Sequence, residues 1–286
     1  MTNCIEIKGL CKSYGDFALK NINLTLPSGS ILGLIGENGA GKTTTIKCIL
    51  NLIHRDAGEI SLLGYDNVKE ERLAKQDIGL VLDECFFSDA LRPLDLDKIL
   101  APAYREWDRN LFRSYLEKFG LPEKKLIKEF SRGMKMKLSL SAALAHRPRL
   151  LILDEATAGL DPVVRDEILD EFLGFIQDED HAILMSSHIT SDLEKVADYI
   201  AYIHQGQVVL SDAKDNILDS YGRVGCTAAQ LENIDPRDVL HTRRGAFGAE
   251  ALVKDRAAFA RKYPMLLVER TTLEDIMLFV GKGETK

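Results

Sequence analysis

The chain has 286 residues, 45% of them hydrophobic and 28% charged, with a formal net charge of -7. That length allows one large domain, or one domain with an appendage, and either can bury a proper core. The acidic balance argues against a general binder of nucleic acid, and the composition excludes disorder and low complexity. Five cysteines, odd in number and without close pairing, read as reduced thiols and not as a metal knuckle or a disulfide framework.

The N-terminal MTNCIEIKGL lacks an apolar signal core, and no run approaches the roughly 18 apolar residues needed to cross a bilayer. Strand patterns follow at CIEIKGL and INLTL, then a Pro27-Ser28-Gly29 turn, then ILGLI. ILGLI is continuously apolar, as a strand buried on both faces of a parallel sheet must be. After GENGAGKTTT, residues Ile46, Ile49, Leu50 and Ile53 fall on one helical face, which gives strand, glycine loop, helix.

From about residue 90 to 148 the pattern is helical. Asp108 can cap a helix with Leu111, Phe112, Tyr115, Leu116 and Phe119 inward, ended by Gly120 and Pro122. FSRGMKMKLSL comes next, its Met134, Leu138, Ala142 and Ala145 sharing a face. Its crowded positive charge raises the question of what it holds, with solvent, nucleic acid and phosphate all open. Leu150 to Leu153 read as a strand, Val164, Ile168, Phe172 and Phe175 as the inner face of a helix, and Ala182 to Met185 as a further strand leading to Ser-Ser-His. Ser191 and Glu194 are spaced as a capping box. Tyr199 to Ile203 and Gln207 to Leu210 form a hairpin pattern around Gln205-Gly206. Beyond about 216 the elements become short: VLHTRRGAFGAEALV, a helix near DRAAFARK, a strand LLVER, and a helix TTLEDIMLFV whose Leu273, Ile276, Met277 and Val280 make a stripe expected to be core.

Gly36 to Thr43 fit G-x-x-x-x-G-K-[ST] in the strand-to-helix context that motif requires. The backbone NH groups of Gly36, Asn38, Gly39, Ala40 and Gly41 turn around phosphate, with Thr44 alongside; Lys42 neutralises the β- and γ-oxygens, and the Thr43 hydroxyl takes Mg²⁺. The motif needs an acid at the end of a neighbouring buried strand, and Leu153-Asp154-Glu155 supplies it. Asp154 is then the metal ligand, with Glu155 free to act as general base on water.

FSRGM, LLILDEATAGLDP and MSSH, in that order, resemble the nucleotide-binding subunit of ATP-binding cassette (ABC) transporters over about residues 3 to 215. The resemblance implies an α/β fold: a P-loop NTPase core, an N-terminal antiparallel β subdomain, and a helical signature subdomain over about 85–148. Residues 1–215 would then be the nucleotide-binding domain and 216–286 a small C-terminal α+β accessory lobe. It further implies that Ser131 and Gly133 touch the γ-phosphate of ATP held by a second subunit, that Asp161 senses that subunit, that His188 orients γ-phosphate and water, and that Tyr14 stacks on adenine. Two departures stand out. Arg132 and Met134 replace the usual first glycine and glutamine of the signature, and Asp83 stands where the family has a metal-contacting glutamine. VLDECFF with SRGMKMKLS is most similar to ATPases of bacterial type-2 ABC exporters. The implied activity is ATP hydrolysis with ATP and Mg²⁺, by a homo- or heterodimer on the inner face of the plasma membrane, powering a separate permease. The alternatives are a soluble ABC ATPase, whose usual tandem cassettes or coiled coils are missing, and a P-loop GTPase or kinase, for which the Asn-Lys-x-Asp guanine-reading segment is absent and the signature would have no explanation.

Overall fold

The computed structural model describes residues 2–245 and 248–282. Its centre is a six-stranded sheet. β3 (Ser30–Ile35), β6 (Ile78–Val81), β7 (Leu150–Asp154), β8 (Ala182–Ser187), β9 (Tyr199–His204) and β10 (Gln207–Ala213) lie in the order β10-β9-β3-β8-β7-β6. All pairs are parallel except the β9–β10 hairpin. Every residue of β3, β7 and β8 is buried, which is why each contains a continuous apolar run, ILGLI, LLIL and AILM. The parallel registers Ile35↔Ser187 and Asp154↔Ser186 bring the ends of β3, β8 and β7 level, so the segments that follow them leave from one edge.

A second, antiparallel sheet covers one face: β1 (Asn3–Tyr14), β2 (Phe17–Pro27), β4 (Ala57–Leu62) and β5 (Tyr65–Asp66), ordered β2-β1-β4-β5. Its inward residues, among them Ile5, Ile7, Leu10 and Ile22, share a core with α1 (Lys42–Ile49) and with Leu32 and Leu34 of β3. α2 (Glu71–Gln76) leads into β6. The helical subdomain holds α3 (Pro93–Leu100), α4 (Arg109–Lys118) and α5 (Arg132–Leu144) around Phe112, Leu116, Phe130 and Leu138. Asp108 caps α4 as expected, accepting from Asn110 N and Leu111 N.

On the other face, α6 (Pro162–Phe175) and α7 (Thr190–Val196) join the large core. The capping box expected at Ser191 and Glu194 does not form. α7 starts earlier, at Thr190, and the Glu194 carboxylate accepts from Leu273 N instead. The tail comprises α8 (Lys214–Ser220), β11 (Gly222–Cys226), α9 (Ala228–Glu232), β12 (His241–Gly245), β13 (Gly248–Val253), α10 (Arg256–Lys262), β14 (Val268–Arg270) and α11 (Leu273–Lys282). Its strands form a sheet in the order β12-β13-β11-β14 over a core of its own that includes Val224, Leu231 and Phe259. Ala246 and Phe247, inside the expected VLHTRRGAFGAEALV segment, lie outside the described residues. The boundary placed at 216 falls within α8, and Ile217 of that helix belongs to the main core. So do Leu273, Ile276 and Phe279 of α11: the apolar stripe of the last helix is core, and the core it fills is that of the cassette.

Candidate nucleotide site

The loop from β3 to α1 is held tightly. A methyl group added at Gly36 would lie 2.5 Å from the carbonyl oxygen of Ile203, so only glycine lets the loop pass β9. Gly41 has φ 117°, a left-handed conformation that glycine adopts without strain, and it turns the chain into α1 with no side-chain cap. The first NH groups of α1 therefore stay available to an anion, in line with the helix dipole. Thr43 is exposed at this helix start and Lys42 is buried.

Lys42 Nζ donates to Gly36 O at 2.7 Å and lies 3.2 Å from Glu155 Oε1. The other Glu155 oxygen, Oε2, accepts from His188 Nδ1 at 2.6 Å. Loops from three strands thus converge on one carboxylate, joining Lys42 after β3, Glu155 after β7 and His188 after β8. Glu155 has φ 52°, an uncommon conformation for a non-glycine residue that gathers at functional sites. It is held there because its NH donates to both the carbonyl and the hydroxyl of Ser186, each at 3.1 Å. The Ser186 hydroxyl in turn donates to Asp154 Oδ1 at 2.5 Å, satisfying one oxygen of a carboxylate that is 2% exposed. Ser186 is the organising residue that the sequence did not single out. The only sign of it was its place in Met-Ser-Ser-His.

Asp83 is exposed just past β6, which pairs with β7 through Val81↔Leu153, so it leaves the sheet at the same edge as Asp154. Among the described residues no group of three His, Cys, Asp or Glu side chains is clustered for a metal ion. Beside the glycine loop lies an open cleft of about 470 Å³ lined by Asn38, Gly39 and Ala40 on one side and by Ser13, Gly15 and Phe17 on the other. Tyr14, at the end of β1, is 45% exposed and has Lys12 Nζ 5.3 Å from its ring centre, while the aromatic ring in the cleft lining is that of Phe17.

The remaining expected residues gather elsewhere. Ser131 caps α5 by accepting from Met134 N, Gly133 faces Val164 of α6, and Asp161 caps α6 by accepting from Val163 N and Val164 N. α5 packs on β6, three strands from β3 in the sheet order. At about 4.8 Å per strand spacing, this separates the serine-led helix from the glycine loop of its own chain. The positive charge around the signature is largely committed. Lys135 pairs with Asp89 at 2.8 Å, Lys137 pairs with Glu167, and the Arg132 guanidinium lies over Gly159.

The ABC transporter family model matches residues 19–158, which include the glycine loop, the signature and both acids. The bacitracin transport ATP-binding protein BcrA of Bacillus licheniformis is 35% identical over 212 residues, 73% of this chain and 69% of the relative. The lantibiotic transport ATP-binding protein SrtF of Streptococcus pyogenes is 35% identical over 214 residues, 74% of this chain and 91% of the relative. A solved ATP-binding subunit of an ABC transporter superposes with a TM-score of 0.69 at 27% identity, covering 75% of this chain and 91% of that one. The glycine loop and the acids after β7 fall within the matched residues, and the chain belongs to the ATP-binding, ATP-hydrolysing proteins of the ABC transporter family.

Proposed function

We propose that this chain is the motor subunit of an ABC exporter, hydrolysing Mg-ATP between two subunits and driving a separate permease. The observation that carries the two-subunit reading is the division of the site. Lys42, Glu155 and His188 meet at one edge of the sheet, whereas Ser131 caps α5, which packs on β6 three strands from β3, and Gly133 lies beside Val164 of α6. A head-to-tail pair places the α5 N-terminus of one copy against the phosphates in the glycine loop of the other, so that two helix N-termini face one anion.

In the reaction, water attacks the γ-phosphorus in line with the departing β-phosphate oxygen. Glu155 takes the water proton on a carboxylate oxygen, and His188, hydrogen-bonded to that carboxylate, holds water and phosphoryl group in register. Lys42 and the two sets of backbone NH groups stabilise the developing charge. The residues present fit Mg²⁺, a hard cation that takes oxygen ligands: Thr43 offers a hydroxyl, Asp154 a buried carboxylate with one oxygen engaged by Ser186, and Asp83 a second carboxylate at the same edge. When bound, it neutralises the β- and γ-oxygens. Tyr14 or Phe17 would flank the adenine at the cleft.

The names of the two relatives, a bacitracin and a lantibiotic transport ATP-binding protein, support the transport role. No helix of the described residues is long and apolar enough to cross a membrane. Phe86 and Ile99, 73% and 51% exposed in and beside the helical subdomain, are apolar surface suited to contact with the permease on the inner face of the membrane.

Gly133→Asp tests the shared site. Within its own chain a Cβ at 133 lies beside the end of the Val164 side chain, the nearest methyl at 3.3 Å, so the fold and ATP binding by the glycine loop should persist. ATP-dependent dimerisation, read by light scattering, and ATP turnover should both be lost. A Gly133→Asp protein that hydrolyses ATP at the normal rate rejects the two-subunit site.

A further inference from the structure

The last helix lies beyond the residues matched by the family model, yet its two ends lie beside segments that adjoin the nucleotide site: α7, the helix after His188, and Glu37 of the glycine loop. At its start, Leu273 N donates to the Glu194 carboxylate of α7 at 2.7 Å. α7 is the helix that begins two residues after His188. This carboxylate satisfies an NH group that the helix itself cannot pair, and it stands at the positive end of the helix dipole. Along its length, Leu273, Ile276 and Phe279 are at most 1% exposed in the main core, and Met277 O accepts from the Tyr202 hydroxyl of β9 at 3.3 Å.

At its far end, α11 reaches the glycine loop. A methyl group added at Gly281 would lie 3.8 Å from Glu37 Oε2 and 3.9 Å from the Tyr202 hydroxyl. Glu37 follows Gly36 directly, and its Oε1 is 2.9 Å from His204 Nδ1 at the end of β9. Burial, with the Glu37 charge adding to it, pushes the Tyr202 hydroxyl up to about 12, as expected of a phenol enclosed beside a carboxylate. A helix of ten residues spans about 15 Å, enough to bridge the two loops.

We infer that α11 is a positioning element of the ATP site, which links the helix behind His188 to the glycine loop through the Leu273–Glu194 hydrogen bond at one end and through Tyr202 and the packing of Gly281 beside Glu37 at the other. Nothing in α11 touches the reacting atoms. Its effect is to hold the two loops at a fixed separation, so that triphosphate meets a preorganised cradle. The accessory lobe then acts on ATP affinity through its final helix. The inference rests on the reading of Gly36 to Thr43 as the phosphate cradle.

The test is hydrogen exchange of the intact protein without nucleotide, followed by steady-state ATPase kinetics, for wild type and Glu194→Ala. Loss of a charged acceptor at the helix start should speed exchange of residues 273–282 by about tenfold. Exchange of residues 36–42 should rise with it, and KM for ATP should rise about fivefold with kcat within about twofold, the signature of lost ground-state organisation. Faster exchange in α11 with residues 36–42 and KM unchanged overturns the inference. If Glu194→Ala does not fold, His204→Ala reads the linkage from the opposite end, with faster exchange in the last turn of α11 expected and an unchanged turn refuting it. ATP binding by wild type is measured alongside. Its absence sinks the cradle reading, while the exchange comparison without nucleotide still decides the linkage.

Discussion

Replacing Glu155 by glutamine separates its chemical role from its architectural one. The side chain sits between Lys42 Nζ at 3.2 Å and His188 Nδ1 at 2.6 Å, and glutamine can keep both contacts. Its amide oxygen accepts from Lys42, and its NH₂ donates to His188 once the imidazole moves its proton to Nε2. The backbone at φ 52° is held by Ser186, which the substitution leaves in place, so the site keeps its shape. What goes is the proton acceptor. A positioned general base contributes about 10²–10⁴-fold, or roughly 3–5.5 kcal/mol of barrier at 1.36 kcal/mol per tenfold. Lys42 also loses its compensating charge, which costs the nucleotide-free protein about 1 kcal/mol and favours a triphosphate in the cradle. Phosphate release should therefore fall at least about a hundredfold, while a fluorescent ATP analogue binds as tightly as to wild type or tighter. The ATP-loaded variant should run as a dimer on gel filtration. Turnover within about tenfold of wild type would refute the base assignment.

Further outcomes follow from single contacts. Lys42→Ala removes the ammonium that the glycine loop wraps, and ATP affinity by calorimetry should fall about 30–100-fold, the worth of a charge-assisted phosphate contact. Gly206→Ala places a methyl 1.9 Å from Ala18 O at φ 76°, in the turn whose NH donates to Ala40 O of the glycine loop; urea unfolding should show a loss of at least about 2 kcal/mol. His146 is buried with its Nε2 donating to Ile78 O and its ring 4.0 Å from that of Tyr104, and burial holds its basicity below the usual histidine value. Above pH 6.5 both folded and unfolded chains keep it neutral. Below that the unfolded chain takes the proton first, so stability is lost as pH falls from about 6.5 toward the lowered folded value, by up to about 1.36 kcal/mol per pH unit. Urea midpoints at pH 7.5 and 5.5 should show that loss, and His146→Phe should flatten it.

Much of this site is legible because its parts depend on short-range patterns. β3, β7 and β8 are buried on both faces, so composition marks them as strands, and the glycine loop, the two acids and the histidine are each fixed relative to a strand end. Periodicity is weaker where partners are distant or registers break. β1 carries register shifts against β2 between Ile7 and Leu10 and again before Lys12, which hides a twelve-residue strand behind the shorter run CIEIKGL. β4 and β5 are short and part-exposed and left little trace. The stripe on α11 reads as core, but sequence cannot say which core, because the partner Glu194 is 79 residues away and looked like the cap of its own helix. The positive φ of Glu155 depends on a hydroxyl contributed by another strand, which no local pattern encodes.

On the proposed two-subunit reading, the charge balance within one chain accounts for why hydrolysis and association would belong together. Lys42 faces the triphosphate already paired with Glu155, so a single subunit supplies little net positive charge beyond the first turn of α1. The lysines near the signature cannot make up the difference, because Lys135 and Lys137 are held by Asp89 and Glu167. What α5 can offer is the positive end of a thirteen-residue helix, capped by Ser131 with Gly133 in its first turn, and it offers this away from its own glycine loop. Bringing a second copy across ATP therefore adds the missing anion contacts and shuts out water, which strengthens every charge interaction at the γ-phosphate at once. On the proposed two-subunit reading, a lone subunit holds ATP with its base in place but without the contacts of the second α5, so ATP cleavage would be confined to the closed pair, the state able to transmit movement to a membrane partner.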